Sequence, residues 1–220
     1  ATTLATMPKA SKPHFIVTTN YDTTVERAFK LAGAPLCVIT QNMRDPEDGR
    51  SRVTLRLPGG QVGHEDAVSF QWSDDTQFPP GCTFLFKMHG SVHPADSELS
   101  DDLIITEDDY IDLMLNSGGA MSAMFPPVSL VAAFRKRRFL FLGYSMHDWN
   151  FRFLRLLMLR NVLSGRDQLR HWAIQKSPDP LEVALWQQRN VMPFEASLED
   201  FCDGLKTAWD SEPPEVAPLG

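Results

Sequence analysis

Cysteine is scarce in this chain: there are three, Cys37, Cys82 and Cys202, with no CxxC pair among them. That spacing excludes a four-cysteine zinc module, argues against a disulfide framework and suits a reducing compartment. Long hydrophobic runs are also missing. No apolar stretch approaches the roughly 20 residues of a membrane span, and residues 151–163 are broken by Arg152, Arg155 and Arg160. The amino terminus has no signal-peptide pattern, so the reading is cytoplasmic, with no membrane partner. Positive charge is in deficit. A net charge of −7 and a pI near 5.3 speak against direct binding to nucleic acid or an anionic surface. The local exception is Arg135-Lys136-Arg137-Arg138. It closes a predicted helix, where cations complement the helix dipole; a nucleic-acid or partner contact is the weaker reading.

What remains is an ordinary globular composition, 43% hydrophobic and 22% charged over 220 residues, enough for one large domain with a good core. Residues 1–14 read as a flexible lead-in, and residues 211–220 (SEPPEVAPLG) as a disordered tail. Between them, residues 15–210 alternate short apolar strands with amphipathic helices. The first strand, residues 15–19, leads through Asn20-Tyr21-Asp22 into a helix. Thr23 and Glu26 have capping-box spacing there, Val25, Ala28, Phe29 and Ala32 form the apolar face, and Gly33 stops it. Residues 37–80 break the pattern. Alternation at 53–57 and 68–72 around Pro58-Gly59-Gly60 predicts an inserted excursion of short antiparallel strands.

Residues 84–91 (FLFKMHGS) form the organising strand, fully apolar until Lys87 and followed by His89-Gly90-Ser91. A brief strand at 103–105 follows. A helix started by Thr106 and Asp109 comes next, then one at 128–134 and an apolar strand at 139–142. Asp148 or Asn150 caps a helix to about residue 162. The chain closes with a strand at 171–174, a helix from Pro180, a strand at 191–194 whose Pro193 places it at an edge, and a helix capped by Ser197 and Asp200. Strands alternating with helices imply a Rossmann-like α/β fold: a mainly parallel sheet with helices on both faces.

In such sheets the chemistry gathers beyond the carboxyl ends of the strands. Three loops stand there, at Asn20, His89 and Gly143, and the reading places them around one crevice with His89 at its centre. Asn20 offers donor and acceptor for a ribose hydroxyl or a water, while Asp22 can equally cap the next helix. His89 is a titratable base beside Gly90, which permits close approach to the backbone; a structural histidine is the competing reading. Gly143-Tyr144-Ser145 opens a helix amino terminus, a place that favours anions, and lacks the second glycine of a G-x-S-x-G elbow. Cys82, His89 and His93 invite a metal reading that Gly90 and Pro94 oppose. Gly59-Gly60-x-x-Gly63 resembles a phosphate loop but has no strand-to-helix frame, so a hairpin turn is preferred.

Taken in order, four pieces carry a resemblance. They are Thr18-Thr19-Asn20-Tyr21-Asp22, Lys87-Met88-His89-Gly90-Ser91, residues 105–110 (ITEDDY), and residues 143–148 (GYSMHD) with Arg152 following. The set resembles the sirtuin-like (silent-information-regulator-2-like) domain family of bacteria, best known as NAD-consuming effectors of anti-phage defence. The resemblance implies NAD as substrate and cleavage of its nicotinamide–ribose bond. It implies His89 as catalytic histidine and Asn20 as the residue positioning water or ribose. Thr19, Asp22, Gly90, Ser91, Gly143, Ser145 and Asp148 would then lie along the cofactor.

The family normally opens with a Gly-Ala-Gly-x-Ser phosphate loop, and none precedes Phe15; the chain also starts at Ala1 rather than methionine. A missing first βα unit is therefore expected. The zinc module of deacetylating sirtuins is replaced by residues 37–80, so no zinc is expected and deacylation ranks third. A catalytically silent nucleotide-binding or oligomerising module ranks second. A homo-oligomer or an added sensor domain is the expected partnership besides NAD.

Overall fold

The computed structural model describes residues 1–7, 14–42, 52–66, 70–71, 81–93, 103–109, 111, 127–134, 136–144 and 170–211. The chain divides into two compact units, residues 1–133 and 134–220.

The first unit is built on a five-stranded sheet of order β1-β5-β2-β3-β4. Its strands are β1 (Phe15–Thr18), β2 (Leu36–Asn42), β3 (Arg52–Arg56), β4 (Val62–Asp66) and β5 (Thr83–Lys87). Although β5 comes last in sequence, it lies at the centre of the parallel half, pairing with β1 on one side and β2 on the other. A strand covered on both faces has no solvent side to keep polar, which explains its near-continuous apolar run. All five β5 residues are buried. Phe84 stacks on Phe15 with ring centroids 5.4 Å apart. Helix α2 (Thr24–Leu31) connects β1 to β2 and buries Phe29. It ends where Gly33 takes a φ of 62° and the Ala34 amide donates to Phe29 O at 3.0 Å.

Beyond β2 the sheet turns antiparallel, as the excursion predicts. Gly59 and Gly60, at φ 95° and 86°, form the hairpin turn between β3 and β4, and no phosphate-loop frame surrounds them. The β3 partner differs from the expectation. It is Val62–Asp66, while Phe70 and Gln71 are not in a strand. Charged and polar residues along β4 hid it from a hydrophobic count; they suit an edge strand, whose outer side must discourage further pairing. Two other expectations also change. Residues 2–5 form a short helix, α1 (Thr2–Ala5), packed against α2 with Ala5 buried, where a flexible lead-in was expected. Residues 103–105 form no strand, though the Ile104 amide donates to His89 O at 3.3 Å. The Thr106–Asp109 cap is present, with Asp109 Oδ2 accepting from the Thr106 amide at 2.7 Å. The boundary between units falls within α3 (Val128–Phe134).

The second unit carries a three-stranded sheet, all parallel, of order β6-β7-β8. Its strands are β6 (Leu140–Leu142), β7 (His171–Gln175) and β8 (Val191–Glu195). Helix α4 (Pro180–Gln187) joins β7 to β8. Asp179 caps it, its Oδ1 accepting from the Glu182 amide at 2.8 Å. Trp186 has no exposed surface and meets Phe141 at 5.3 Å between ring centroids. Among the described residues Pro193 pairs on one side only, with Ala173, which suits a residue that lacks an N–H. Helix α5 (Leu198–Ser211) begins at the Ser197–Asp200 cap. Among the described residues four of the six strand pairings are parallel, and the chain is a mostly parallel α/β structure of Rossmann-like type. The expected helix after Asp148 and the tail beyond residue 211 lie outside the described residues.

The central strand sets the stability of the first unit. Phe86→Ala, at a site with no exposure, is expected to cost about 3–5 kcal/mol. Leu181→Ala, 64% exposed on α4, should cost under about 1 kcal/mol. Urea unfolding of the two variants checks the contrast.

Candidate functional site

The site residues of the first unit are set by register. Thr18 of β1 pairs with Lys87 of β5, so both strands release their chains at the same level. The two loops are then stitched together. The Met88 amide donates to Thr18 O at 3.0 Å, and the Val92 amide donates to Tyr21 O at 3.0 Å. Thr19, Asn20 and Asp22 are thereby brought beside His89, Gly90 and Ser91.

The clamp beneath these loops is Lys87. Its ammonium has no exposed surface and lies among four acceptors: Tyr21 O at 3.0 Å, Asp22 O at 2.6 Å, Glu26 Oε1 at 2.9 Å and Ser91 Oγ at 3.1 Å. Two are carbonyls of the first loop, one is a carboxylate on α2, and one is a hydroxyl of the second loop. A cation removed from water needs such a set, since an unpaired buried charge is very costly. Arg56 of β3 approaches the same Glu26 oxygen at 3.6 Å. Glu26 therefore does not form the capping box that its spacing predicts. The helix start is held instead by Asp22, whose Oδ1 accepts from the Thr24 amide at 2.7 Å, and Thr23 makes no side-chain cap. Hydrogen bonds from Thr24 hold the Asp22 carboxyl below its ordinary value of 3.8, and the Lys87 charge acts in the same direction against partial burial.

The sequence-predicted residues of the first unit have definite settings. Asn20 is exposed; its amide donates to Thr18 Oγ1 at 3.1 Å, and no described residue binds its carboxamide. Thr19 is half-buried. His89 is 3% exposed. Gly90 takes a φ of 83°, the left-handed conformation that glycine alone adopts without strain. Ser91 is buried, its Oγ accepting from Lys87 and from the His93 amide at 3.2 Å, so it braces its loop. Cys82 and His89 flank opposite ends of β5, roughly 16 Å of strand apart at 3.3 Å per residue. That separation rules out the Cys82–His89–His93 metal set. Among the described residues no group of three or more His, Cys, Asp or Glu side chains is arranged to hold a metal.

Gly143 belongs to the second unit and follows β6 at a φ of 75°. Sequence reading missed its brace, Gln175 at the end of β7. Gln175 Nε2 donates to Tyr144 O at 3.2 Å and to Glu182 Oε1 at 2.9 Å. Ser145, His147, Asp148 and Arg152 lie outside the described residues. Lys87 and Glu26 were also missed as a pair. A lysine closing an otherwise apolar buried strand was the available signal.

Paired loops at the carboxyl ends of parallel strands, one with an exposed amide and the other with a histidine and a left-handed glycine, stand where α/β domains of Rossmann-like type commonly take their ligands. The sequence profile of the SIR2-like domain matches residues 14–194, and the chain belongs to that family. SIR2-like domains use NAD. No curated protein matches the chain. Among the described residues no helix is long and apolar enough to cross a membrane.

Two tests follow from the clamp. Lys87→Met should destabilise the fold by about 3–5 kcal/mol, because it leaves two loop carbonyls and the Ser91 hydroxyl unmet and the Glu26 carboxylate with only the more distant Arg56. Lys87→Met combined with Glu26→Leu should recover part of that loss, measured as a double-mutant cycle in urea. Asp22 gives a pH dependence. Its carboxyl titrates lower in the folded state than in the unfolded, so its contribution is full above the ordinary carboxylate range and is lost as pH falls through the lowered value. Hydrogen exchange at the Thr24 amide should accelerate in that acid window, relative to the exchange expected for an unprotected amide at the same pH, and Asp22→Ala should show the faster exchange at neutral pH too.

Proposed function

We propose that the chain is the sirtuin-like NAD glycohydrolase domain of a bacterial anti-phage defence protein, cleaving NAD to nicotinamide and ADP-ribose. The observation that carries this reading is the juxtaposition of the Asn20 and His89 loops over one buried clamp, within a chain of the SIR2-like family. The residues present suit such a substrate. Asn20 leaves its carboxamide open to a ligand, and Gly90 lets one approach the backbone. Thr19, Asp22, Ser91, Gly143, Ser145 and Asp148 are the remaining proposed NAD-binding residues, Ser91 and Asp22 acting through the loops that they hold.

The bond between nicotinamide and ribose breaks through a cation-like ribosyl centre, so the demand is for a base and a well-placed water. In this reading His89 accepts the proton from the attacking oxygen, and Asn20 orients the water or a ribose hydroxyl. Glu26 and Lys87 do not touch substrate; they keep both loops at one height. The burial of His89, at 3% exposure, favours a second reading, a module that holds nucleotide without turning it over. A homo-oligomer or a sensor domain on the same polypeptide completes the proposal.

Incubation of the domain and of its full-length parent with NAD, followed by chromatography for free nicotinamide, decides between these readings. The enzyme reading expects release by the parent, reduced about 10²–10⁴-fold in His89→Ala and lowered also in Asn20→Ala. Turnover that survives His89→Ala removes the histidine from the mechanism. NAD binding without nicotinamide release selects the silent module.

A further inference from the structure

Cys37 and Cys82 stand 45 positions apart in sequence, yet their sulfurs lie 2.7 Å from each other inside the first unit. Topology brings them together. Cys37 is in β2 opposite Phe84 of β5, and Cys82 stands two residues before Phe84, so both side chains leave the same face of neighbouring parallel strands. Cys37 has no exposed surface and Cys82 is 2% exposed, whereas Cys202 lies half-buried on α5 in the other unit. Cys82 follows directly on Gly81, which is exposed and left-handed, so the pair sits one residue inside a turn that meets solvent.

We propose that Cys37 and Cys82 form a modification site, a thiol pair that a peroxide-class oxidant converts into a reversible intramolecular disulfide. The proposal is independent of the NAD reading. The Cys82 sulfur, having lost its proton, attacks one oxygen of hydrogen peroxide. The O–O bond breaks, hydroxide leaves and takes up the lost proton as water, and Cys82 becomes a sulfenic acid. The Cys37 sulfur then attacks the sulfenic sulfur. The S–S bond forms, the S–O bond breaks, and hydroxyl and thiol proton depart as a second water. Two electrons pass from the sulfurs to the peroxide. Cys82 is the first nucleophile because it borders the exposed Gly81 turn, and the hydrogen bond that it shares with the Cys37 sulfur draws its titration downward.

The crosslink would join the amino ends of β2 and β5, while the candidate site lies at the carboxyl ends of β1 and β5. Oxidation therefore acts on the stability of the unit rather than on its chemistry. Closing a loop of this length should raise the thermal midpoint by about 5–15 °C.

The test treats the full chain, and the Cys202→Ser variant, with hydrogen peroxide under native conditions. Alkylation in denaturant, proteolysis without reduction and mass spectrometry follow. The expected product is one peptide pair joined through Cys37 and Cys82, about 2 Da lighter than the two thiol peptides together, lost on treatment with dithiothreitol. Its formation should accompany the rise in thermal midpoint in Cys202→Ser. Recovery of Cys37 and Cys82 as alkylated thiols at a peroxide dose that oxidises Cys202 overturns the proposal. So does Cys82 found as sulfinic acid, or linked to Cys202 instead of Cys37.

Discussion

A single buried cation carries the organisation of the first unit. The Lys87 ammonium, with no exposed surface, joins β5 to the first loop, to α2 and to its own following loop. Each partner is a group that would otherwise need water: two backbone carbonyls, one carboxylate and one hydroxyl. An apolar residue in its place would leave those acceptors unmet, at about 1–3 kcal/mol for each buried polar group. The arrangement fixes register as well as energy. Because Tyr21 O and Asp22 O must meet the same nitrogen, the Asn20 loop has little freedom to slide relative to the His89 loop. Ser91 extends the constraint to the His93 amide. A reaction that needs a base and an oriented water benefits from that rigidity.

The second unit solves the same problem with a neutral amide in place of the ammonium. Gln175 ends the central strand of its sheet and donates to the carbonyl of Tyr144 and to Glu182 on the following helix. In both units a long polar side chain at the end of a central strand holds the neighbouring loop against the next helix. The difference is one of charge. The amide contributes direction and the ammonium adds a net charge, which holds the Asp22 carboxyl further into its ionised range.

Much of this was legible in the sequence because its cause is local. The apolar run before Lys87, the proline in β8, the helix opening on Pro180, the Ser197–Asp200 cap and the Gly59-Gly60 turn all follow from side-chain chemistry within a few residues. The ordered set of loop motifs pointed to the family that the profile match establishes. What escaped is non-local. The Thr23–Glu26 spacing fits a capping box, and only the arrival of Lys87 from 61 positions away diverts the carboxylate. Strand β4 carries no apolar alternation because it is an edge. The approach of Cys37 to Cys82 depends on β5 returning beside β2. Helix α1 is too short to leave a periodic signal.

The position of β5 also orders events as the polypeptide leaves the ribosome. β1 and β2 never pair with each other; each is hydrogen-bonded to β5. Until residue 87 has been made, β1 has no partner in its sheet, and one edge of β2 stays open. The antiparallel β2-β3-β4 meander, by contrast, needs only short-range closure and can form early. Insertion of the apolar centre strand is then the step that converts a half-built sheet into a closed one. It brings the Lys87 cation and the His89 loop into place in the same movement.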